Sequence, residues 1–256
     1  MVTVGGRGRF ADRVAVITGA SSGIGCAAAR IIHAEGGRVV LSDIVPAEWL
    51  PDDGRAAFVE ADVRDPVQVQ RMIDEAAARF GRLDVLFNNA GTPGRLPRPE
   101  TAKLPVEDWD DTLDINLKGT FLCSKAAIPH LRAAGGGAIV NNASMLGVVG
   151  LENSAAYSAS KGGAVLLTKS MALELISDGI RVNCVCASFI DTRMFNDWLD
   201  LQDDPDAARS DATGQLPIGR LGTAAEVARA AVFLASDEAS YIVGHALYVD
   251  GGYLAK

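Results

Sequence analysis

Seven short runs of β-branched and other apolar residues recur along the chain with helical patterns between them, and that alternation constrains the fold more than any other feature. The runs are Val14 to Thr18, Arg38 to Ser42, Ala56 to Ala61, Val85 to Phe87, Ala138 to Asn142, Arg181 to Val185 and Ala246 to Val249. Between them, apolar residues return every three or four positions over Gly23 to Glu35, Pro66 to Phe80, Val106 to Ala133, Ala155 to Ser177 and Ala224 to Ser236. Strands apolar on both faces must be covered on both, and parallel neighbours need crossover connections, which helices supply. The pattern predicts an α/β fold: a doubly wound, Rossmann-type sheet of seven parallel strands with helices on both faces. No linker or repeat divides it, so residues 11–256 read as a single dinucleotide-binding catalytic domain behind a flexible N-terminal tail at 1–10. The long irregular stretch Ser188 to Leu221, with a short helix expected around Met194 to Leu201, reads as a substrate lid.

A net charge of -8 repels phosphate backbones and anionic membrane surfaces, so neither nucleic acid nor membrane is an expected partner. No stretch approaches the ~18 apolar residues of a membrane helix, and the Gly- and Arg-rich start lacks the apolar run of a secretory signal. The expected location is the cytoplasm. Cys26, Cys123, Cys184 and Cys186 fit free thiols of a reducing compartment, and the Cys184/Cys186 pair has no second ligand pair to complete a metal site.

Ligands of such sheets bind beyond the carboxyl ends of the strands, so the residues there carry the chemistry. After the first strand comes Thr18-Gly19-Ala20-Ser21-Ser22-Gly23-Ile24-Gly25, opening into a helix. Gly19, Gly23 and Gly25 permit a tight turn and close backbone approach, and the helix N-terminus offers unpaired N–H groups to a pyrophosphate. The second strand ends at Asp43, whose carboxylate can accept from ribose hydroxyls and repels a 2′-phosphate; no basic residue in the glycine turn offsets it. That favours NAD over NADP. Asp62 and Val63 end the third strand, and Asn88-Asn89-Ala90-Gly91 follows the fourth. On the helix after the fifth strand, Tyr157 and Lys161 stand four residues apart on one face, with Ser144 at the strand's end. A tyrosine with pKa about 10 needs help to act as a base near neutrality, and a cation at ~4 Å in an effective dielectric of ~20 supplies about 4 kcal/mol. The Ser144 hydroxyl can hold a substrate oxygen and stabilise charge developing on it.

These motifs, in this order, resemble the classical short-chain dehydrogenase/reductase family from Asp12 to Gly252; Asn116 in Asp114-Ile115-Asn116-Leu117 and Asp250-Gly251-Gly252 add to the match. The resemblance implies that Tyr157 exchanges the alcohol proton, that Lys161 lowers its pKa and holds the nicotinamide ribose, and that Ser144 positions the substrate oxygen. It implies further that Asn116 holds a water relaying protons from Lys161, and that backbone near Ile190 and Thr192 meets the carboxamide. The nucleotide itself falls to Gly19, Ser21, Ser22, Gly23, Ile24, Gly25, Asp43, Asp62, Val63, Asn89, Ala90 and Gly91. One departure stands out: Ala187-Ser188 replaces the family's Pro-Gly after the sixth strand, which leaves the turn less constrained.

The expected activity is hydride exchange between NAD(H) and a small secondary alcohol or ketone, with no metal. Candidate pocket residues are Met145, Leu151, Phe189 and Phe195, with Leu146, Val149, Met194 and Trp198 beside them. An NADP-dependent ketoacyl-type reductase and a non-catalytic nucleotide sensor stay open as alternatives. Asp43 disfavours the first, and the intact Ser144, Tyr157 and Lys161 disfavour the second. A nucleotide-sugar epimerase or dehydratase needs a further substrate domain, for which little chain follows Asp250. Long apolar helices around Asn116 and Tyr157, together with the resemblance, imply a homotetramer.

Overall fold

β1 (Val14–Thr18) buries all five of its residues and β6 (Ile180–Ala187) all eight. Strands with no solvent face belong inside a sheet covered on both sides, and the computed structural model, which describes residues 8–256, has that sheet. With β2 (Arg38–Asp43), β3 (Ala56–Glu60), β4 (Val85–Asn88), β5 (Gly137–Asn142) and β9 (Ala246–Val249), they form seven parallel strands in the order β3-β2-β1-β4-β5-β6-β9. The order reverses between β1 and β4, which opens a crevice beyond the strand ends.

Side chains alternate across the sheet with the two-residue period of a strand. Ile17, Leu41 and Phe87 point to the core under α1 (Gly23–Ala34) and α8 (Ala224–Ala235). Their neighbours Val16, Val40 and Leu86 point to the opposite core, under α2 (Pro66–Phe80), α4 (Gly119–Ala133) and α5 (Ala155–Leu175). Local chemistry sets several boundaries. Asp65 caps α2 by accepting from the amides of Val67 and Gln68, Pro66 begins it, and Gly81 at φ 78° stops it.

Three expectations needed revision. The helix predicted over Val106 to Ala133 is interrupted: α3 (Val106–Leu113) passes into a π-helical segment, Asp114–Lys118, before α4 begins. The stretch predicted as irregular is structured. β7 (Ile190–Asp191) pairs with β8 (Gly222–Thr223), and between them lie α6 (Arg193–Leu199), the helix expected there, and α7 (Pro205–Gly214), which was not. α7 has too few apolar residues to show a helical period; Asp204, accepting from the Ala207 amide, and Pro205 start it, and buried Ala212 anchors it beside Phe195 and Leu199. Of the tail expected at 1–10, residues 1–7 lie outside the described residues. Arg9 pairs with Glu35 and Glu238 at 2.6 and 2.7 Å and Phe10 is buried, so these two belong to the folded body. Among the described residues no helix is long and apolar enough to cross a membrane, and no group of three or more His, Cys, Asp or Glu side chains gathers as a metal site.

Candidate active site

A cavity of about 830 Å³ runs along the carboxyl ends of the strands and under α6 and α7. Every residue assigned to the nucleotide from sequence lines it except Gly25. Gly19 and Gly23 adopt φ of 61° and 56°, the left-handed region that glycine enters freely. A Cβ on Gly23 would meet nothing closer than Thr192 Cγ2 at 3.9 Å, and Ser22, the N-cap of α1, makes no side-chain capping bond. The turn is thus an open cradle beside uncapped first-turn amides, which fits a dinucleotide pyrophosphate. Gly25 serves differently: its Cβ would fall 2.5 Å from Gly19 O and 2.6 Å from Asn89 Nδ2, so it closes α1 onto the turn instead of facing the cavity.

Asp43 accepts from the Ser21 amide at 3.0 Å and from the Ile44 amide at 2.8 Å, which fixes its carboxylate at the cavity wall. Asp62 is gripped by Arg64 at 2.7 Å, and that guanidinium holds its carboxyl below the usual range. Arg64, a cavity residue not anticipated from sequence, also reaches Asp111 at 3.2 Å. Asn89 donates to Thr18 O at 3.0 Å and Gly19 O at 2.8 Å and accepts from Asn142 at 2.9 Å, tying the ends of β1, β4 and β5 together.

At the other end of the cleft, Tyr157 and Lys161 sit one turn apart on α5 and both line the cavity. Ser144 lines the same stretch of the cavity beside the phenol. Lys161 is buried and donates to the Asn142 carbonyl at 2.8 Å, with Nζ 5.7 Å from the Tyr157 ring centroid. Burial holds the Lys161 ammonium down to about 8. Burial likewise pushes the Tyr157 phenol up, against the neighbouring Ser144 hydroxyl and the nearby charge of Arg98. The sequence expectation of a phenol pKa lowered by Lys161 is therefore reversed within the chain alone: desolvation outweighs the neighbours, and the cation acting on Tyr157 is Arg98.

Asn116 does not line the cavity. Buried in the π-helical segment, it donates to Thr92 O and Ser160 Oγ, both at 3.0 Å, and accepts from the Thr92 amide at 2.8 Å. Both amide hydrogens are used inside the protein, so the water-holding role implied by resemblance falls to no free donor of this side chain. It joins α5 to the loop after β4, and the wider π turn is the backbone distortion that aims it there.

Met145, Leu146, Leu151, Phe189, Met194, Phe195 and Trp198 line the same cavity, whereas Val149 does not. Phe195 packs on Trp198 at 5.4 Å and on Phe189 at 6.0 Å between centroids. Arg98, Asn142, Ser188 and Gln202 also line the cavity and were not among the site candidates drawn from sequence. Arg98, between Pro97 and Pro99 just downstream of the Asn88 to Gly91 motif, was the most legible of these. In the Ala187-Ser188 turn, the Ala187 carbonyl accepts from Ser144 Oγ at 3.5 Å and the Ser188 amide donates to Val249 O at 3.4 Å.

With this geometry established, comparison with known proteins is decisive. A family model described as Enoyl-(Acyl carrier protein) reductase matches residues 19–254. The chain belongs to the classical short-chain dehydrogenase/reductase family. This family member is 46% identical over 252 residues to the cis-4-hydroxycyclohexanecarboxylate dehydrogenase of Sinomonas cyclohexanicum, covering 96% of this chain and 98% of that one. It is 43% identical to the meso-2,3-butanediol dehydrogenase of Serratia marcescens, with 97% of each chain covered. The crystal structure of levodione reductase superposes with a TM-score of 0.91 at 35% identity, covering 96% of this chain and 99% of that one. The chain is thus an oxidoreductase of a family that binds a nicotinamide dinucleotide, NAD or NADP.

Proposed function

We propose that this short-chain dehydrogenase/reductase interconverts a small secondary alcohol and its ketone with NAD(H), and that Tyr157 is its general acid/base. The observation that carries the reading is the convergence of Ser144, Tyr157 and Lys161 on one cavity, with Lys161 one turn on from Tyr157, where the glycine cradle meets the apolar pocket. Both curated relatives described above are named as dehydrogenases of hydroxylated compounds, which supports the alcohol as substrate.

The glycine turn, Asp43 and Lys161 would hold a nicotinamide dinucleotide, which would supply the acceptor for the hydride of the carbinol carbon. Ser144 Oγ holds the substrate oxygen and Tyr157 Oη takes its proton. Lys161, pinned by the Asn142 carbonyl, would hold the nicotinamide ribose, and the charge of Arg98 favours the phenolate. Asn116 positions α5 against the loop after β4, and the backbone at Ile190 and Thr192 would meet the carboxamide. Asp43 would take the adenosine ribose, and Arg64, already answered by Asp62 and Asp111, has little charge left for a 2′-phosphate. The arm from β7 to β8 closes over the substrate as a lid. Exposed Phe121 on α4 and Leu166 and Leu173 on α5 support helix packing between subunits of a homotetramer. Four unpaired, buried thiols support a reducing, cytoplasmic setting.

Formation of the reduced cofactor with a panel of secondary alcohols tests this reading. NAD is expected to exceed NADP in kcat/KM, and Tyr157→Phe to cost about 10³-fold in turnover with cofactor affinity retained. Near wild-type turnover by Tyr157→Phe removes the assigned mechanism, and a preference for NADP removes the cofactor assignment in favour of the ketoacyl-type reductase.

A further inference from the structure

Arg98 lies between two prolines. Pro97 has a fixed φ, and Pro99 keeps the residue before it out of helical conformations, so the loop after β4 presents this side chain with little freedom. The guanidinium lines the cavity, with Cζ 5.4 Å from the Tyr157 ring centroid. Nη1 donates to Ser154 Oγ at 3.1 Å, while Nε is buried and has no partner among the described residues.

Other arginines of the chain show what an answered guanidinium looks like here. Arg181, more deeply buried than the half-buried Arg98, donates to the carbonyls of Leu234 and Ser236 at 2.8 Å and to that of Ala235 at 3.5 Å. Of the arginines lining the cavity, Arg64 pairs with Asp62 at 2.7 Å and Arg193 with Asp197 at 3.8 Å. Among the described residues Arg98 has no such carboxylate, and the charge partner acting on it is the Tyr157 phenol. A desolvated cation with an orphaned donor is unfavourable unless something supplies the missing acceptor. The edge left over, Nε with Nη2, grips a carboxylate through two parallel hydrogen bonds.

We propose that Arg98 is the anion anchor of the substrate pocket, and that the alcohol handled here is a hydroxy acid whose carboxylate takes the Nε–Nη2 edge while its hydroxyl meets Tyr157 and Ser144. The inference rests on the dehydrogenase reading above for the hydroxyl end alone. Met145, Leu151, Phe189 and Phe195 line the rest of the space, so the carbons between the two groups are apolar, as in a saturated ring. One unanswered cation matches one negative charge.

The test compares 4-hydroxycyclohexanecarboxylate with its neutral carboxamide, and measures calorimetric binding of cyclohexanecarboxylate, which has no hydroxyl to oxidise. Wild type is expected to favour the acid over the amide by about tenfold or more in kcat/KM. Arg98→Met is expected to lose about a hundredfold on the acid, chiefly through KM, and at least tenfold less on the amide, with Arg98→Lys recovering part. Cyclohexanecarboxylate should bind wild type and Tyr157→Phe alike and bind Arg98→Met at least tenfold more weakly. Equal losses on acid and amide, no wild-type preference for the acid, or cyclohexanecarboxylate binding indifferent to Arg98 each overturn the anchor. If Arg98→Met does not fold, Arg98→Lys carries the comparison, since a point charge keeps attraction and loses the two-bond grip. Arg98-dependent binding without oxidation of either alcohol leaves the anchor standing and removes the dehydrogenase reading; Tyr157-dependent turnover blind to the carboxylate does the reverse.

Discussion

Around the glycine turn, strand ends are tied to one another: Thr18 Oγ1 accepts from the amides of Asn89 and Ala90, Asn89 reaches back to Thr18 and Gly19, and Asp43 holds the Ser21 amide. Across the cavity, α6 and α7 hang from two-residue strands and pack on a small core of Phe195, Leu199 and Ala212, separate from the two large cores of the sheet. The glycine-turn side inherits its geometry from seven strands held in register; the α6–α7 side is an appendage with a small core of its own. A cofactor common to many relatives suits the first construction, and substrates that differ among relatives suit the second.

Gly25→Ala attacks the rigid side where it has least room. The new methyl meets Gly19 O, Asn89 Nδ2 and Ala20 Cα within 2.9 Å, two of them backbone positions with nowhere to retreat. A loss of about 3 kcal/mol in chemical denaturation is expected. A loss below about 0.5 kcal/mol contradicts the account of α1 as locked to the turn, since surface substitutions stay within that range.

Lys161→Met separates stability from function on the same side. Burial holds the ammonium down to about 8, against an ordinary 10.5, so the unfolded chain binds the extra proton between those values. The cost of burying the charge is full below about pH 8 and gone above about 10.5. The variant should therefore be about 2 kcal/mol more stable than wild type at pH 7, with the gap closing as pH rises to 10.5, while turnover collapses. Denaturation at several pH values checks this; a gap that widens with pH shows the sign to be wrong.

The smallest effect belongs to the appendage. Gly214 ends α7, and a Cβ there meets nothing within 4 Å and no left-handed backbone. Gly214→Ala should stabilise by about 0.5 kcal/mol through the helix and leave cofactor affinity unchanged. A loss as large as that at Gly25 would erase the contrast between the two sides.

Much of the nucleotide side was legible because its signals are local. The glycine turn, the acidic strand end at Asp43 and the one-turn spacing of Tyr157 and Lys161 each fit within a few residues, and the structure places all of them on one cavity. The substrate side was legible only as a list of apolar residues, from which Val149 dropped out while Arg98 and Gln202 entered. α7 escaped notice because polar residues cover most of its surface, and the interruption at Asp114–Lys118 because a π turn shifts the helical period by only one residue.

What the sequence determined by itself was the sheet, the order of its motifs and the residue types at the strand ends, since strand and helix periodicities and glycine conformations act between near neighbours. What only the tertiary structure decided was the company each polar group keeps. Lys161 is engaged by the Asn142 carbonyl, both amide hydrogens of Asn116 are spent on Thr92 and Ser160, and Arg98 is brought from a distant loop to the Tyr157 ring with its buried Nε unanswered. Desolvation and hydrogen bonding act over a few ångströms of space, and beyond one helical turn or one strand pair the spacing of residues along a chain carries no measure of that distance.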